Sequence, residues 1–328
     1  MPGYEVIGVF NAGVARVAEQ VVLLLRVAER PVGLSSDVAA APVYEPDQDA
    51  VAVREFSRGD PENDFSDLRL INTPGGTYLT SISHLRIARS RDGVHFEVDR
   101  QAAMSACNAY EAFGIEDSRI SEIGGVYYIT YVAVSPWGVV TCLASTSDFA
   151  VFERHGVIFC PDNKDVVLLP ERVGDRYWAL HRPASSLFAR QDMWIAESPD
   201  LLCWGDHRRL IGTRENHWDG LKIGAGAPPF AVDAGWLEIY HGADANNRYC
   251  LGAVLMDRER PWVVKARSSR PIFEPEADYE RQGFFGEVVF TCGCLFEDGC
   301  VKVYYGAADT SICCAELPIE HVLGTLES

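Results

Sequence analysis

Short apolar runs separated by turn-forming residues recur along the whole chain. One unit reads as strand, turn, strand, loop, strand, turn and strand, and its sequence is EDSRISEIGGVYYITYVAVSPWGVVTCLASTSDFAVFERHGVIF. The same order returns in NKDVVLLPERVGDRYWALHRPAS…MWIAESPDLLCWGDHRRLI, where ESPDLLCW takes the place of TSDFAVF. Short runs of this length and composition, bounded by turn residues, are typical of β-strands. The two segments therefore predict two equivalent four-stranded units.

Three further units complete the pattern. Two follow, IGAGAPPFAVDAGWLEIYHGAD…YCLGAVLMDRERPWVV and EVVFTCGCLFEDGCVKVYYGAADTSICCAEL, and one precedes them, VFNAGVARVAEQVVLLLRVAER…HLRIARSRDGVHFEV. A helical pattern occurs only near residues 275–282 and 317–323. Five four-stranded units of roughly 45 to 65 residues match radially packed blades. We predict an all-β fold, a five-bladed β-propeller that forms a single domain over residues 1–328.

The first unit is interrupted by an insertion at about residues 35–80. Its stretch EPDQDAVAVREFSRGDPENDFSDLRLINTPGG is rich in turn formers and acidic residues. Such a composition favours a surface excursion from the first blade. An insertion that covers the site or holds a partner subunit is the alternative.

Composition excludes several classes of function. The formal net charge of −18 argues against nucleic acid and against an anionic membrane as partners, since both attract a basic surface. We find no apolar run of membrane-spanning length and no secretory signal, which favours a soluble, cytoplasmic protein. The ten cysteines and eight histidines follow no metal-binding spacing, so we expect free thiols and no metal site.

Alignment of the units reveals two sets of polar residues. The first set lies where each innermost strand begins, and it comprises Asn11, Asp117, Lys164 with Asp165, Gly226 and Glu287. The second set lies where the next strand ends, and it comprises Arg26, Tyr131, Arg182, His241 and Tyr305 with Asp309. Because the second strand runs antiparallel to the first, both sets should meet at one mouth of the central channel.

Each of these residues also has a purely structural interpretation. Asp117 could form a local ion pair with Arg119, and a lone basic residue after an apolar strand is usually a satisfied structural group. Recurrence at one repeat position favours a site. A carboxylic acid, Asp117, opposite the cations Lys164, Arg182 and His241 suits cleavage of a glycosidic bond with inversion, and the cations favour phosphate over water as the nucleophile.

Motifs along essentially the whole chain resemble the mannoside phosphorylases of glycoside hydrolase family 130. The motifs are FNAGV, LLLRVAERP, GIEDSRI, PDNKDVVLLPE, ALHRP, WIAESPDLLCWG, KIGAGAPP, GWLEIYHGAD and YYGAADT. Within that family the resemblance is strongest to the β-1,2-mannobiose and β-1,2-oligomannan phosphorylases. Relatives usually have a longer segment before the FNAG strand, which leaves ring closure and oligomeric state open.

The resemblance implies phosphorolysis of a β-mannoside oligosaccharide by inorganic phosphate, giving α-mannose 1-phosphate without a metal or organic cofactor. It implies that Asp117 is the catalytic acid and passes its proton through the 3-hydroxyl of the bound mannose. It further places Lys164, Arg182 and His241 at phosphate. Asn11, Arg26 and Asp309 are placed around the transferred mannosyl unit. A homodimer is the assembly that the resemblance suggests. Glu116, Tyr131, Asp165 and Glu287 are further candidates for substrate binding.

One residue departs from the family pattern and keeps other functions open. Glu287 in FFGEVVF stands where the phosphorylases usually carry asparagine. Its carboxylate could repel phosphate, or it could activate water in an inverting β-mannosidase, and a mannoside-binding propeller without catalysis is a third possibility. The intact basic set favours phosphorolysis. If Asp117 is the acid, its pKa should be raised, and the neighbouring Glu116 would act in that direction.

Overall fold

Five β-sheets follow one another along the chain in the computed structural model, which describes residues 1–184 and 190–327. The first sheet and the insertion within it contain β1 (Tyr4–Val17), β2 (Gln20–Pro31), β3 (Val38–Glu45), β4 (Ala50–Ser57), β5 (Leu70–Thr73), β6 (Gly76–Leu79), β7 (Ile82–Ser90) and β8 (Glu97–Val98). The sheet itself has the order β1-β2-β7-β8, and all its pairs are antiparallel. The insertion therefore separates the second strand of the sheet from the third.

The second and third sheets are regular four-stranded units. Their strands are β9 (Ile115–Ile123), β10 (Val126–Ser135), β11 (Gly138–Thr146), β12 (Glu153–Phe159), β13 (Asn163–Leu168), β14 (Tyr177–Pro183), β15 (Met193–Ser198) and β16 (Gly205–Ile211). Each sheet keeps the order of the chain, from an inner strand to an outer one. These are the two units that the repeated sequence pattern predicted.

The last two sheets differ from the predicted four strands. The elements are β17 (Lys222–Ala225), β18 (Phe230–Val232), β19 (Gly235–Ala243), β20 (Tyr249–Met256), β21 (Val264–Ser268), α1 (Asp278–Arg281), β22 (Val289–Glu297), β23 (Cys300–Ala307), β24 (Ser311–Pro318), α2 (Ile319–Leu323) and β25 (Leu326–Glu327). In the described residues the fifth sheet has three strands, and β25 pairs with β21 of the fourth sheet instead. The two short helices lie where the sequence predicted them.

Apolar side chains between neighbouring sheets hold the five-bladed propeller together. One cluster joins the first sheet to the fifth, with Val14 and Leu23 on one side and the ring of Tyr304 on the other. The Tyr304 hydroxyl also donates to the carbonyl oxygen of Gly93 at 2.8 Å. Burial of this apolar surface closes the ring between its first and last sheets.

The insertion is folded and packed, and is more than a polar surface loop. β3 pairs with β4 and β5 pairs with β6. Its residues Ala41 and Ile71 are buried in a cluster of their own, and Val43 packs against Phe113, which lies just before β9 of the second sheet. This packing holds the end of the insertion close to the propeller axis.

The inner strands of the first three sheets share one irregularity, a shift of register that leaves an extra residue facing the axis. On β1 the shift lies between Phe10 and Gly13, and on β13 it lies between Lys164 and Val167. On β9 it lies between Glu116 and Arg119, which pair with Val132 and Thr130 of β10. The backbone there is left-handed at Asn11, Asp117 and Asp165, with φ of 52°, 48° and 55°. Asn and Asp tolerate this conformation better than other residues with a side chain. The bulges thus present three polar side chains at equivalent places.

Among the described residues, no helix is long and apolar enough to cross a membrane.

Candidate active site

A cavity of about 290 Å³ lies at the propeller axis, where these bulges occur. All five sheets contribute to its lining. The predicted residues that line it are Asn11, Arg26, Glu116, Asp117, Lys164, Asp165, Arg182, His241 and Asp309. The structure therefore brings together the predicted catalytic, phosphate-binding and substrate-binding residues except Tyr131 and Glu287, and Gly226 and Tyr305 of the two aligned sets also lie outside the lining.

Arg26 holds the two carboxylates of GIEDSRI in place. Its Nη1 donates to Asp117 Oδ1 at 3.0 Å, and its Nη2 donates to Glu116 Oε1 at 2.7 Å. Asn11 Nδ2 donates to the same oxygen of Asp117 at 3.0 Å. The Arg26 guanidinium is itself oriented by Ser83, whose hydroxyl accepts from Nε at 3.1 Å. One carboxylate oxygen of Asp117 is thus saturated by the protein.

The predicted direction of the Asp117 pKa is wrong for the ligand-free protein. Burial alone would raise the pKa of this carboxyl, but Arg26, Arg119, the Asn11 amide and Lys164 together hold it below its ordinary value. A carboxyl of the cavity whose pKa is raised is Asp309. Burial raises the pKa of Asp309 to about 6, and the negative charges of Asp117 and Glu116 add to that effect.

A second group of residues surrounds the carboxylate of Asp165. Arg182 Nη1 lies 2.8 Å from Asp165 Oδ2, and His241 Nε2 lies 3.3 Å from the same oxygen. Burial would raise the pKa of Asp165, but Arg182, His241 and Arg119 hold it well below its ordinary value. Asp165 is therefore an anion held between the guanidinium groups of Arg119 and Arg182.

Several buried polar atoms at the cavity lack a partner among the described residues. They are Arg182 Nε, His241 Nδ1, Asn11 Oδ1 and Asp165 Oδ2, the last of which lies 2.8 Å from Arg182 Nη1 without a hydrogen bond of good geometry. Buried polar atoms are nearly always hydrogen-bonded in folded proteins. The Arg182 Nε–H group is a donor that suits an anion, and the Asn11 amide oxygen suits a hydroxyl group. The cavity thus combines carboxyl groups with the cations Lys164 and Arg182, which can bind an anion.

Tyr131 lies outside the cavity because the prediction was displaced by one residue. Arg26 pairs with Phe10 and Arg182 pairs with Lys164, whereas the residue that pairs with Glu116 is Val132. Adjacent residues of a strand face opposite sides of the sheet. The Tyr131 hydroxyl accordingly points away and donates to Glu111 Oε1 at 2.9 Å.

Glu287 also lies outside the cavity. It precedes β22, and the register shift of the fifth sheet falls further along, between Thr291 and Gly293. The Glu287 side chain is 47% exposed, and its carboxylate lies 3.6 Å from Arg248 Nε. The prediction aligned Glu287, at the start of the strand, with the bulge residues of the other sheets. The residue at the bulge of the fifth sheet is the buried Cys292.

Comparison with known proteins agrees with a site that combines carboxyl groups and cations. The model of the family described as beta-1,4-mannooligosaccharide phosphorylase, glycoside hydrolase family 130, matches residues 77–328. The chain belongs to glycoside hydrolase family 130. It is 45% identical to beta-1,2-mannobiose phosphorylase of Listeria innocua over 99% of its own length and 93% of that protein. It is 40% identical to 1,2-beta-oligomannan phosphorylase of a Thermoanaerobacter species, over 76% of this chain and 83% of that one.

Solved structures agree with the family 130 fold. The structure of beta-1,2-mannobiose phosphorylase from Listeria innocua in complex with beta-1,2-mannobiose superposes with a TM-score of 0.96, at 45% identity, and covers 99% of this chain and 93% of that one. A glycosyl hydrolase from Bacteroides ovatus, 19% identical, superposes with a TM-score of 0.73 over 94% of this chain and 84% of its own. The second likeness shows the fold alone.

Two cations of this family 130 site were missed by the sequence analysis. Lys222 of the KIGAGAPP motif lies beside the cavity, with its Nζ 4.9 Å from the ring centre of Tyr249. Burial, together with Arg182, lowers the pKa of Lys222 to about 8. Arg69 reaches the cavity from the insertion and stacks on the ring of Phe285 at 4.7 Å. The KIGAGAPP motif was a usable signal for Lys222, whereas Arg69 had none.

The insertion also contributes apolar lining to the site. Leu70 and Leu79, which bound its second hairpin, line the cavity together with Phe284 and Phe285 from the loop before β22. The alternative in which the insertion covers the site is thus the one that the structure supports. Apolar and aromatic side chains of this kind suit the faces of a sugar ring.

Proposed function

We propose that the protein is an inverting phosphorylase that cleaves β-1,2-mannobiose or a short β-1,2-oligomannan with inorganic phosphate. The observation that carries the proposal is that the cations Lys164 and Arg182 and the imidazole of His241, whose pKa burial lowers, lie in one cavity with Asp117. An enzyme that uses water needs a second carboxylate as base, whereas phosphate needs cations to bind it. The named activities of the two phosphorylase relatives support the choice of substrate.

The reaction couples one bond formed to one bond broken. An oxygen of phosphate attacks the anomeric carbon of the mannosyl unit from the face opposite the leaving group, and the glycosidic bond breaks. Asp117 supplies the proton that the leaving oxygen takes, relayed through the sugar 3-hydroxyl as the family resemblance implies. The products are α-mannose 1-phosphate and mannose, or an oligomannan shortened by one unit.

Phosphate binding supplies the protonation state that the acid needs. In the ligand-free protein nearby cations hold the pKa of Asp117 low. A phosphate dianion bound at Lys164 would offset part of that positive field and add a negative charge near the carboxyl. Both effects raise the pKa of Asp117. We therefore propose that the acid becomes protonated when phosphate and sugar are both bound.

Product analysis tests the proposal directly. β-1,2-Mannobiose is incubated with and without inorganic phosphate, and sugar products are identified by chromatography. We expect mannose 1-phosphate and mannose with phosphate, and no cleavage without it. Free mannose as the only product in both incubations would contradict the proposal and make the enzyme a hydrolase. Saccharide binding by calorimetry without any turnover would make it a binding protein.

The substitution Arg182→Ala separates the phosphorylase from the hydrolase by a second route. Arg182 offers an unpaired Nε at the cavity, so its loss should abolish phosphorolysis and phosphate binding. Hydrolysis would not depend on it in the same way. Arg176→Ala, in the turn before the same β14 strand, is the matched control, because that side chain is 48% exposed and pairs with Glu197 on the surface. We expect this control variant to keep wild-type turnover.

A further inference from the structure

Arg119 occupies the centre of the propeller directly beneath the cavity. Its side chain is only 1% exposed. Nη1 donates to the Asp117 carbonyl oxygen at 2.9 Å, Nε donates to the Gly226 carbonyl oxygen at 3.2 Å, and Nη2 donates to Asp165 Oδ1 at 3.0 Å. One guanidinium therefore links the second, third and fourth sheets.

Two of these hydrogen bonds connect Arg119 to residues that line the cavity, Asp117 and Asp165. The bond to the Asp117 carbonyl holds the backbone at the position where φ is 48° and the acid side chain departs. The bond to Asp165 holds a carboxylate whose other oxygen contacts Arg182 and His241. Arg119 thus contacts Arg182 and His241 through one intervening residue, Asp165, and it binds the backbone of the proton donor Asp117 directly.

The chemistry of arginine suits this position better than that of lysine. A guanidinium is planar and carries five N–H donors in a fixed fork, so it can bind carbonyl and carboxylate oxygens in several directions at once. A lysine ammonium keeps the charge but lacks the fork. In the substitution Arg119→Lys, Asp165 Oδ1 would lose the hydrogen bond from Arg119, and Arg182 and His241 alone would hold the carboxylate.

We propose that Arg119 is a positioning residue that sets where Arg182 and His241 present their donors to phosphate, acting through Asp165. The inference rests on the proposed phosphorolysis. Arg119 contacts neither the cavity nor a reacting atom; it fixes the carboxylate against which the two phosphate-binding side chains are oriented. A residue that only filled the propeller axis would contribute to stability without selectivity for phosphate.

The test separates these roles by measuring each substrate in turn. Arg119→Lys and Arg119→Gln are compared with the wild type for the KM of inorganic phosphate at saturating β-1,2-mannobiose, and for the KM of β-1,2-mannobiose at saturating phosphate. At metal sites, removal of the partner that orients a ligating side chain changes affinity or activity by about 10- to 100-fold, and we take that range as the guide here. We expect the phosphate KM to rise about tenfold or more, with the mannobiose KM changed much less.

A double-mutant cycle tests the route through Asp165. In the background Asp165→Ala the carboxylate that connects Arg119 to Arg182 and His241 is gone. Arg119→Lys should then leave the phosphate KM within about twofold of that background, since coupled residues are non-additive. An equal rise of the phosphate KM in both backgrounds would contradict the proposed route.

Arg154→Lys is the matched structural control. Arg154 lies on β12 of the same sheet as Arg119, and its Nη1 contacts the fully buried Glu111 at 2.7 Å, outside the cavity. We expect its thermal midpoint to fall while both KM values stay as in the wild type. Circular dichroism of every variant reports whether it folds, and Arg119→Gln decides the question if Arg119→Lys does not.

The outcomes distinguish this inference from the proposed function. A wild type that needs phosphate, together with folded Arg119 variants of unchanged phosphate KM, overturns the role of Arg119 alone. Equal changes in the two KM values also overturn it, because a general loss of packing has that effect. A wild type that cleaves mannobiose without phosphate overturns the proposed function, and this inference falls with it.

Discussion

The cavity has two walls that are built in different ways. One wall consists of residues on or beside the inner strands of the sheets, such as Asp117, Lys164 and Arg182, which the repeat and its bulges position. The other wall comes from an insertion and a loop, which supply Arg69, Leu70 and Phe285. Strands of the scaffold position side chains more rigidly than loops do. The contrast places the reacting groups on the rigid wall and contacts to the variable part of the substrate on the other.

The largest effect should come from the rigid wall, at Asp117. Asp117→Asn keeps the shape of the side chain and can still accept from Arg26, but it has no proton to give. General acid catalysis contributes about 10²- to 10⁴-fold, so we expect kcat for phosphorolysis of β-1,2-mannobiose to fall by that order. Steady-state kinetics with a coupled assay for mannose 1-phosphate measures it.

The control for Asp117 is an aspartate of the same sheet-forming repeat away from the cavity. Asp200 accepts backbone N–H groups of Leu202 and Cys203 in the turn between β15 and β16. Asp200→Asn should weaken this turn and leave kcat unchanged. An Asp117→Asn enzyme that retains kcat within tenfold of the wild type would exclude Asp117 as the acid.

The next effect, on the same wall, is a pH dependence from Lys222. Its pKa of about 8 means that it is cationic below pH 8 and neutral above it in the ligand-free protein. Bound phosphate favours the cation, so phosphate affinity should decrease as pH rises from about 8 to 10. We expect about a tenfold increase in Kd, since each pKa unit gained on binding corresponds to that factor.

Calorimetric titration of inorganic phosphate into the ligand-free protein measures this dependence. Lys222→Met should bind phosphate more weakly at pH 7 and show a flat Kd between pH 8 and 10. Lys265→Met is the control, because Lys265 is exposed and donates to the carbonyl oxygen of Ala234. A Kd that still rises with pH in Lys222→Met would assign the titration to another group.

The loop wall should show a smaller effect of a different kind. Phe285→Ala removes the ring on which Arg69 stacks and part of the apolar lining. Loss of one such apolar contact is worth about 10- to 200-fold in selectivity at most. We expect kcat/KM for β-1,2-mannobiose to fall about tenfold while the Kd of phosphate alone stays within about twofold.

Phe296→Ala is the matched control for the loop wall. Phe296 stacks on Phe230 at 4.9 Å, outside the cavity lining. This variant should keep the kcat/KM of the wild type. If Phe285→Ala weakened phosphate binding as strongly as it weakened sugar turnover, the division of labour between the two walls would be wrong.

The same contrast explains what the sequence could predict. The five-bladed fold and most of the site followed from the repeat, because equivalent positions in each unit must face the axis. Tyr131 was misplaced by one residue and Glu287 by several, because the bulges that set the register are not visible in the pattern of apolar residues. Lys222 stands in a recognised motif, but only the fold shows that its side chain approaches Arg182 and Lys164.

The loop wall was beyond prediction for a physical reason. Arg69 lies in a polar stretch with no periodicity, and its place at the cavity depends on how β3 and β5 pack against each other and against the second sheet. Arg119 was read as a local partner of Asp117. Its contacts with Gly226 and Asp165 cross between sheets, so they exist only once the ring has closed.

The smallest effect should come from Glu287, the departure from the family pattern that kept a hydrolase open in the sequence analysis. Glu287→Gln removes the only charge that could serve as a base for water at this position. Because the side chain is half exposed and lies beside Arg248, we expect kcat and the phosphate KM to stay within about twofold of the wild type. A large loss of turnover on this substitution would show that the carboxylate reaches the cavity in the working enzyme. Such a loss would indicate hydrolysis, with Glu287 as the base for water. The wild type should then cleave the sugar at a rate that does not depend on phosphate.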